Sequence, residues 1–128
     1  MAELTVGPIS RETLQEFASA SGDPNPIHVD PAAARAAGMD DVIVHGMFSM
    51  AQLGRLLTKS FSQEAIRSFR VSFVAPVPVG AALTCRGRVV DDTKVVLTAA
   101  LPDGTTVARG EALIDTQEGT RRNRVREG

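Results

Sequence analysis

The sequence predicts an α+β fold in which a single antiparallel sheet accompanies one long apolar helix. Three observations carry this. Apolar residues recur every three to four positions until Ser60, and from Ile66 onward they recur every second position, so a helical section is followed by strands. The later segments are joined by short turn-forming links, Asp91-Asp92-Thr93 and Pro102-Asp103-Gly104, which make neighbouring strands antiparallel. Strands gathered after helices, rather than alternating with them, give α+β and not α/β.

Each element has its own signal. Leu4 to Val6 reads as a first strand. Ser10 can cap a helix whose Leu14, Phe17, Ala18 and Ser21 share a face and which ends near Gly22. Asp30 and Pro31 read as N-cap and first residue of a short helix through AAARAA, closed by Gly38. In the stretch from Val42 to Ser60, Met47, Phe48, Met50, Ala51, Leu53, Leu56 and Leu57 cover most of a helix surface, leaving Gln52, Arg55 and Lys59 as one polar stripe; such a helix should be largely buried. Phe69, Val71, Phe73 and Ala75 then alternate with other residues as the buried face of a strand, which APVPVG at 75–80 breaks. Further strands fit 82–90, 94–101 and 106–115.

With 128 residues, 43% of them hydrophobic, residues 1–116 suffice for one domain with a core, small enough that burial against a partner would help. Pairing exposed sheet edges across a twofold axis would do this, so a homodimer is expected. A net charge of −1 supplies no basic field for nucleic acid or an anionic membrane. There is neither an apolar run of about 18 residues nor a leader-like start, so the expected location is cytoplasmic. The one cysteine, Cys85, reads as a small hydrophobe in a strand, and two histidines with one cysteine are a poor zinc set, so no metal is expected. Residues 117–128, with four arginines and almost nothing apolar, are expected to be a disordered tail.

The most informative segment is FASASGDPNPIHVDPAAA, from Phe17 to Ala34. Asp23 and Asn25 each precede a proline and are biased toward extended conformations, so the polar groups are held. Asp23 and His28, five residues apart, share no face of a helix or regular strand; they converge only if the segment bends. The plainer reading is an ordinary Asx-proline turn. Gly46 stands at the start of the long helix, where the first amides lack partners and the dipole favours negative charge, so it can hold a developing oxyanion; the plainer reading is close packing.

With those elements in place, the chain resembles the MaoC-like dehydratases, the (R)-specific enoyl-CoA hydratase or hydratase 2 group of the hotdog fold. The resemblance rests on Phe17, Ser21, Gly22, Asp23, Asn25, Pro26, Ile27, His28 and Ala34, on the run His45, Gly46 and Met47, and on the strand and turn from Arg70 through Phe73, Pro76 and Val77 to Gly80. Ala20 departs from the family's larger aliphatic or Gly at that place. The resemblance implies a bent antiparallel sheet wrapped around the long central helix, and reversible hydration of a trans-2-enoyl thioester to the (R)-3-hydroxyacyl thioester. It implies Asp23 and His28 as acid-base pair on one water, and the Gly46 N–H as donor to the enolate oxygen. Asn25, His45 and Ser49 are candidates for orienting the site or binding substrate. The substrate would be an acyl-CoA or acyl carrier protein thioester, with no cofactor required. Three rivals stand beside it: a subunit of a heteromeric 3-hydroxyacyl-ACP dehydratase, a hotdog acyl-CoA thioesterase, and a noncatalytic acyl-thioester-binding protein. The thioesterase usually carries an acid on the long helix, and residues 47–60 contain no Asp or Glu.

Overall fold

The computed structural model describes residues 3–23 and 25–115; Pro24 and the arginine-rich tail lie outside the described residues. Its five strands, β1 (Leu4–Val6), β2 (Ile66–Phe73), β3 (Leu83–Asp91), β4 (Lys94–Ala100) and β5 (Thr106–Ile114), form one antiparallel sheet in the order β1-β3-β4-β5-β2. Register shifts at Ile66/Ser68, Val89/Asp91 and Ala99/Ala100 mark bulges, which increase local twist.

The helices are α1 (Arg11–Ser21), α2 (Pro31–Ala36) and α3 (Gly46–Ser60). Ser10 caps α1 by accepting from the Thr13 N–H, and Gly22 ends it in the left-handed conformation (φ 72°), where a glycine carries no side-chain penalty. Asp30 caps α2 through the Ala32 N–H at 3.0 Å, with Pro31 at its first turn.

The core lies between α3 and the sheet. Leu53, Leu56 and Leu57 of α3 are buried together with Leu83 and Cys85 of β3, Val95, Leu97 and Ala99 of β4, and Val107 and Ala112 of β5. Each such leucine contributes roughly 1.5–3 kcal/mol. Cys85 is buried as expected, and burial pushes its thiol up to about 11, which suits packing and not nucleophilic chemistry.

Two expectations about faces need correction. Gln52 of the polar stripe is buried and its Oε1 accepts from Arg55 Nη1 at 2.7 Å, while Met47 of the apolar set is 57% exposed. α3 is apolar around most of its girth, so the sequence alone could not say which side the sheet covers. Likewise Phe69 and Val71 of β2 are only partly buried and Phe73 is 52% exposed. β2 is an edge strand, and the last of its inward-facing residues reaches past the covered part of the helix to a cleft.

Candidate active site

The cleft, of about 330 Å³, opens at the N-terminal end of α3 and is lined by His28, Ile43, Val44, Gly46, Ser49, Phe73 to Val77, and Val107. One of its walls comes from the segment between α1 and α2, and that segment folds locally. The Asp23 Oδ1 accepts from the Asn25 N–H at 3.1 Å, and the Asn25 Oδ1 accepts from the Ile27 N–H at 3.2 Å, starting a 3-10 turn over Pro26–His28. These successive Asx turns supply the bend that spacing alone required. They bring the Asp23 Oδ2 to 3.9 Å from the His28 Nε2.

An extended splint holds this overhang in place. Ile43 accepts from His28 Nδ1 at 2.8 Å and donates its own N–H to the Ile27 carbonyl at 3.2 Å. On its other side, the Val44 N–H donates to the Val77 carbonyl at 2.8 Å, and Ile43 bridges to Pro78. A carbonyl only accepts, so His28 Nδ1 carries a hydrogen and, in the neutral ring, Nε2 presents its lone pair toward Asp23.

The splint runs directly into α3. Gly46 is the first residue of that helix, so its amide has no acceptor within it. A Cβ on Gly46 would meet the Phe73 ring at 3.2–3.3 Å, so a side chain here would crowd the cleft wall. Ser49 sits one turn on, buried, and lines the same cleft.

His45 lies behind the cleft wall, not on it. Wholly buried, it stacks on His28 with ring centroids 3.9 Å apart and 24° between planes, and meets the edge of Phe17 at 4.9 Å. Burial, and next the charge of His28, hold its pKa below the ordinary imidazole value, while Asp23 pulls the other way. Asn25 is exposed; its carboxamide serves the turn. Asp23 is partly exposed and reaches the cleft through His28.

Sequence reasoning missed the wall opposite the overhang: Val74, Ala75 and Val107 line the cleft, and only the break in alternation at APVPVG hinted that β2 ends there. Of the arginines, Arg67 pairs with Asp115 and Arg86 with Glu3, while Arg70 and Arg109 flank a second hollow with Ser72 and Glu111.

Donor atoms of Asp23, His28 and His45 all lie within 4.8 Å of one another. A shared metal ion would have to sit about 2.0–2.1 Å from a nitrogen and in the plane of each ring. Two stacked imidazoles run their lone pairs side by side, so one ion cannot lie in both planes.

A five-stranded antiparallel sheet packed on one long helix is the arrangement of the hotdog fold. The chain belongs to the MaoC-like family: the MaoC like domain matches residues 3–108. It is 34% identical over 84 residues to the mitochondrial 3-hydroxyacyl-[acyl-carrier-protein] dehydratase of Arabidopsis thaliana, covering 60% of this chain and 51% of that one. It is 37% identical over 78 residues to 3-hydroxyacyl-thioester dehydratase Z of Mycobacterium tuberculosis, covering 56% and 52%. An unliganded (R)-hydratase from Pseudomonas aeruginosa superimposes with a TM-score of 0.76 at 30% identity, covering 88% of this chain and 77% of that one. The chain spans about half the length of these two curated relatives.

Proposed function

We propose that this protein adds water across the 2,3 double bond of trans-2-enoyl thioesters, giving (R)-3-hydroxyacyl thioesters, and catalyses the reverse dehydration. The observation that carries it is the pair of acceptors, Asp23 Oδ2 and His28 Nε2, 3.9 Å apart beside an apolar cleft that ends at Gly46. That separation is too long for a direct hydrogen bond and suits one water donating to both, about 2.8 Å from each.

In the hydration direction the water oxygen bonds to C3 as one of its protons passes to His28 Nε2, with Asp23 holding the other proton and orienting the attack. The electrons of the alkene move toward the thioester, and the Gly46 N–H donates to the resulting enolate oxygen. Collapse of the enolate takes the proton from His28 to C2. A base and an acid are thereby provided on one side of the alkene by one imidazole. Asn25 holds the overhang, and Ser49 lies where it can meet the thioester.

The names of the relatives support thioester chemistry and leave the carrier, CoA or acyl carrier protein, to experiment. The long edge strand β2, beside the exposed Phe73 and Val74, is the surface we assign to a second copy in a homodimer; a heteromeric dehydratase partner is the other outcome of a mass measurement. The cytoplasm is the proposed compartment on the strength of the sequence; among the described residues no helix is long and apolar enough to cross a membrane.

The test follows loss of the conjugated enoyl absorbance of crotonyl-CoA. Asp23→Asn and His28→Ala should each lower kcat by roughly 10²–10⁴-fold with circular dichroism and assembly mass unchanged. Hydration at the wild-type rate by both variants would overturn the assignment. Release of free thiol from an acyl-CoA would point to the thioesterase instead, and binding without turnover across a panel of enoyl thioesters to a noncatalytic protein.

A further inference from the structure

We infer that His45 is a positioning residue whose buried ring, stacked on His28, fixes the plane of His28 and so aims Nε2 at the shared water. This rests on the reading that His28 carries the proton, and it adds a residue that touches neither substrate nor water.

The roles ordinarily given to a histidine fail here one by one. His45 occupies the N-cap position of α3 but makes no side-chain capping hydrogen bond. Its relative exposure is 0% and it does not line the cleft, so it does not bind substrate. Neither ring nitrogen has a hydrogen-bond partner among the described residues. What His45 does offer is its face.

His28 needs that face. The ring's one hydrogen bond among the described residues, from Nδ1 to the Ile43 carbonyl, fixes one edge but still lets the ring rock about the N–H···O axis. Rolling would swing Nε2 away from Asp23. Stacking at 3.9 Å removes this freedom, and His45 is itself held by the edge of Phe17 on α1. The same contact helps when His28 becomes charged: the imidazolium then faces the π surface of a neutral ring, an attractive arrangement, and not a second cation. Burial keeps His45 neutral for this purpose.

The chain has only two histidines, and both are in this stack, so histidine-selective 15N labelling reads the site without background. In the wild type His28 should show a protonated Nδ1 and one sharp Nε2 signal. His45→Leu keeps an apolar filler but no flat face: with Nδ1 still protonated on Ile43, it should shift and broaden the Nε2 signal of His28 and lower kcat about tenfold or more at nearly constant KM. His45→Phe restores a flat neutral face and should recover both the sharp Nε2 signal and most of kcat.

If His45→Phe is folded yet shows disordered His28 signals and the kcat of His45→Leu, the nitrogens matter and the inference fails. Unchanged His28 signals and kcat in His45→Leu would sink it equally. Should His45→Leu not fold, His45→Phe decides alone, since ordered His28 signals with near wild-type kcat support the inference and their loss overturns it. The 15N readout needs no turnover, so a fully active His28→Ala would remove the catalytic reading while the ordering of one ring by the other is still measured.

Discussion

The overhang and the start of α3 face each other across the same cleft, yet they are built by opposite means. The overhang is partly exposed and shaped by hydrogen bonds between residues two apart, Asp23 to Asn25 and Asn25 to Ile27. The helix start is packed, with His45 and Ser49 buried and Phe48 meeting Phe17 edge-on, and offers the cleft a backbone amide. Local turns present the acid and the imidazole; long-range packing presents the backbone amide. Proton transfer needs side chains with lone pairs, whereas stabilising an enolate needs a donor that does not reorganise.

The sharpest way to break this comparison is to remove the amide and nothing else. Gly46 is the first helical residue, where proline is tolerated, and His45 before it has ψ 135°, which proline also tolerates. Gly46→Pro should therefore keep the helix and lose the donor. Gly46→Ala is the control, keeping the N–H while pressing a Cβ against the half-exposed Phe73 ring. The proline variant should turn over crotonyl-CoA roughly 10²–10³-fold more slowly than the alanine variant. Equal kcat values with intact circular dichroism would mean that the helix start contributes packing alone.

A smaller effect is expected on the other side of the cleft. Asn25→Ala removes the acceptor for the Ile27 N–H, a cap worth about 0.5–2 kcal/mol, and loosens only the overhang. We expect kcat to fall about five- to tenfold while the thermal midpoint barely moves. A large loss of thermal stability would show that the overhang is part of the global fold and not a local device.

The smallest effect separates the regions by pH. His45 has a folded pKa below its unfolded value near 6.5, because burial disfavours its charge. The stability it contributes is then complete above pH 6.5 and is lost as pH falls through the folded value, since the unfolded chain binds the proton more readily. Thermal melts from pH 8 to pH 5 should slope downward in the wild type and more weakly in His45→Phe. Asp41, held at about 2 chiefly by the Arg11 guanidinium, acts further down: its contribution is present above 3.8 and disappears only toward pH 2. A wild-type profile as flat as that of His45→Phe would count against a neutral buried ring.

Much of the architecture was legible because its signals are local. The cap at Ser10, the Asp30-Pro31 start, the glycine at 22 and the period-two runs each specify their element within a few residues, and the element bounds agree with the sequence reading to within about two residues, the usual play in assigning ends. The faces of α3 were less legible. A helix apolar around most of its girth does not declare which side meets the sheet, so its pattern did not show that Gln52 of the polar stripe is buried and Met47 of the apolar set exposed. The same limit applied to β2, whose alternation predicts an inward face but not that this face runs out past the helix at Phe73.

By itself the sequence determined the strand and helix order, the candidate pair Asp23 and His28, and the family whose motif they carry. Tertiary structure alone decided that this locally formed pair stands over the helix start, that Ile43 sets the tautomer of His28, and that His45 lies stacked beneath it. The reason is range: turn and capping preferences act over a few neighbours along the chain, whereas the Ile43 bond spans fifteen residues and the imidazole stack seventeen, and such contacts exist only once the splint and α3 have packed on the sheet.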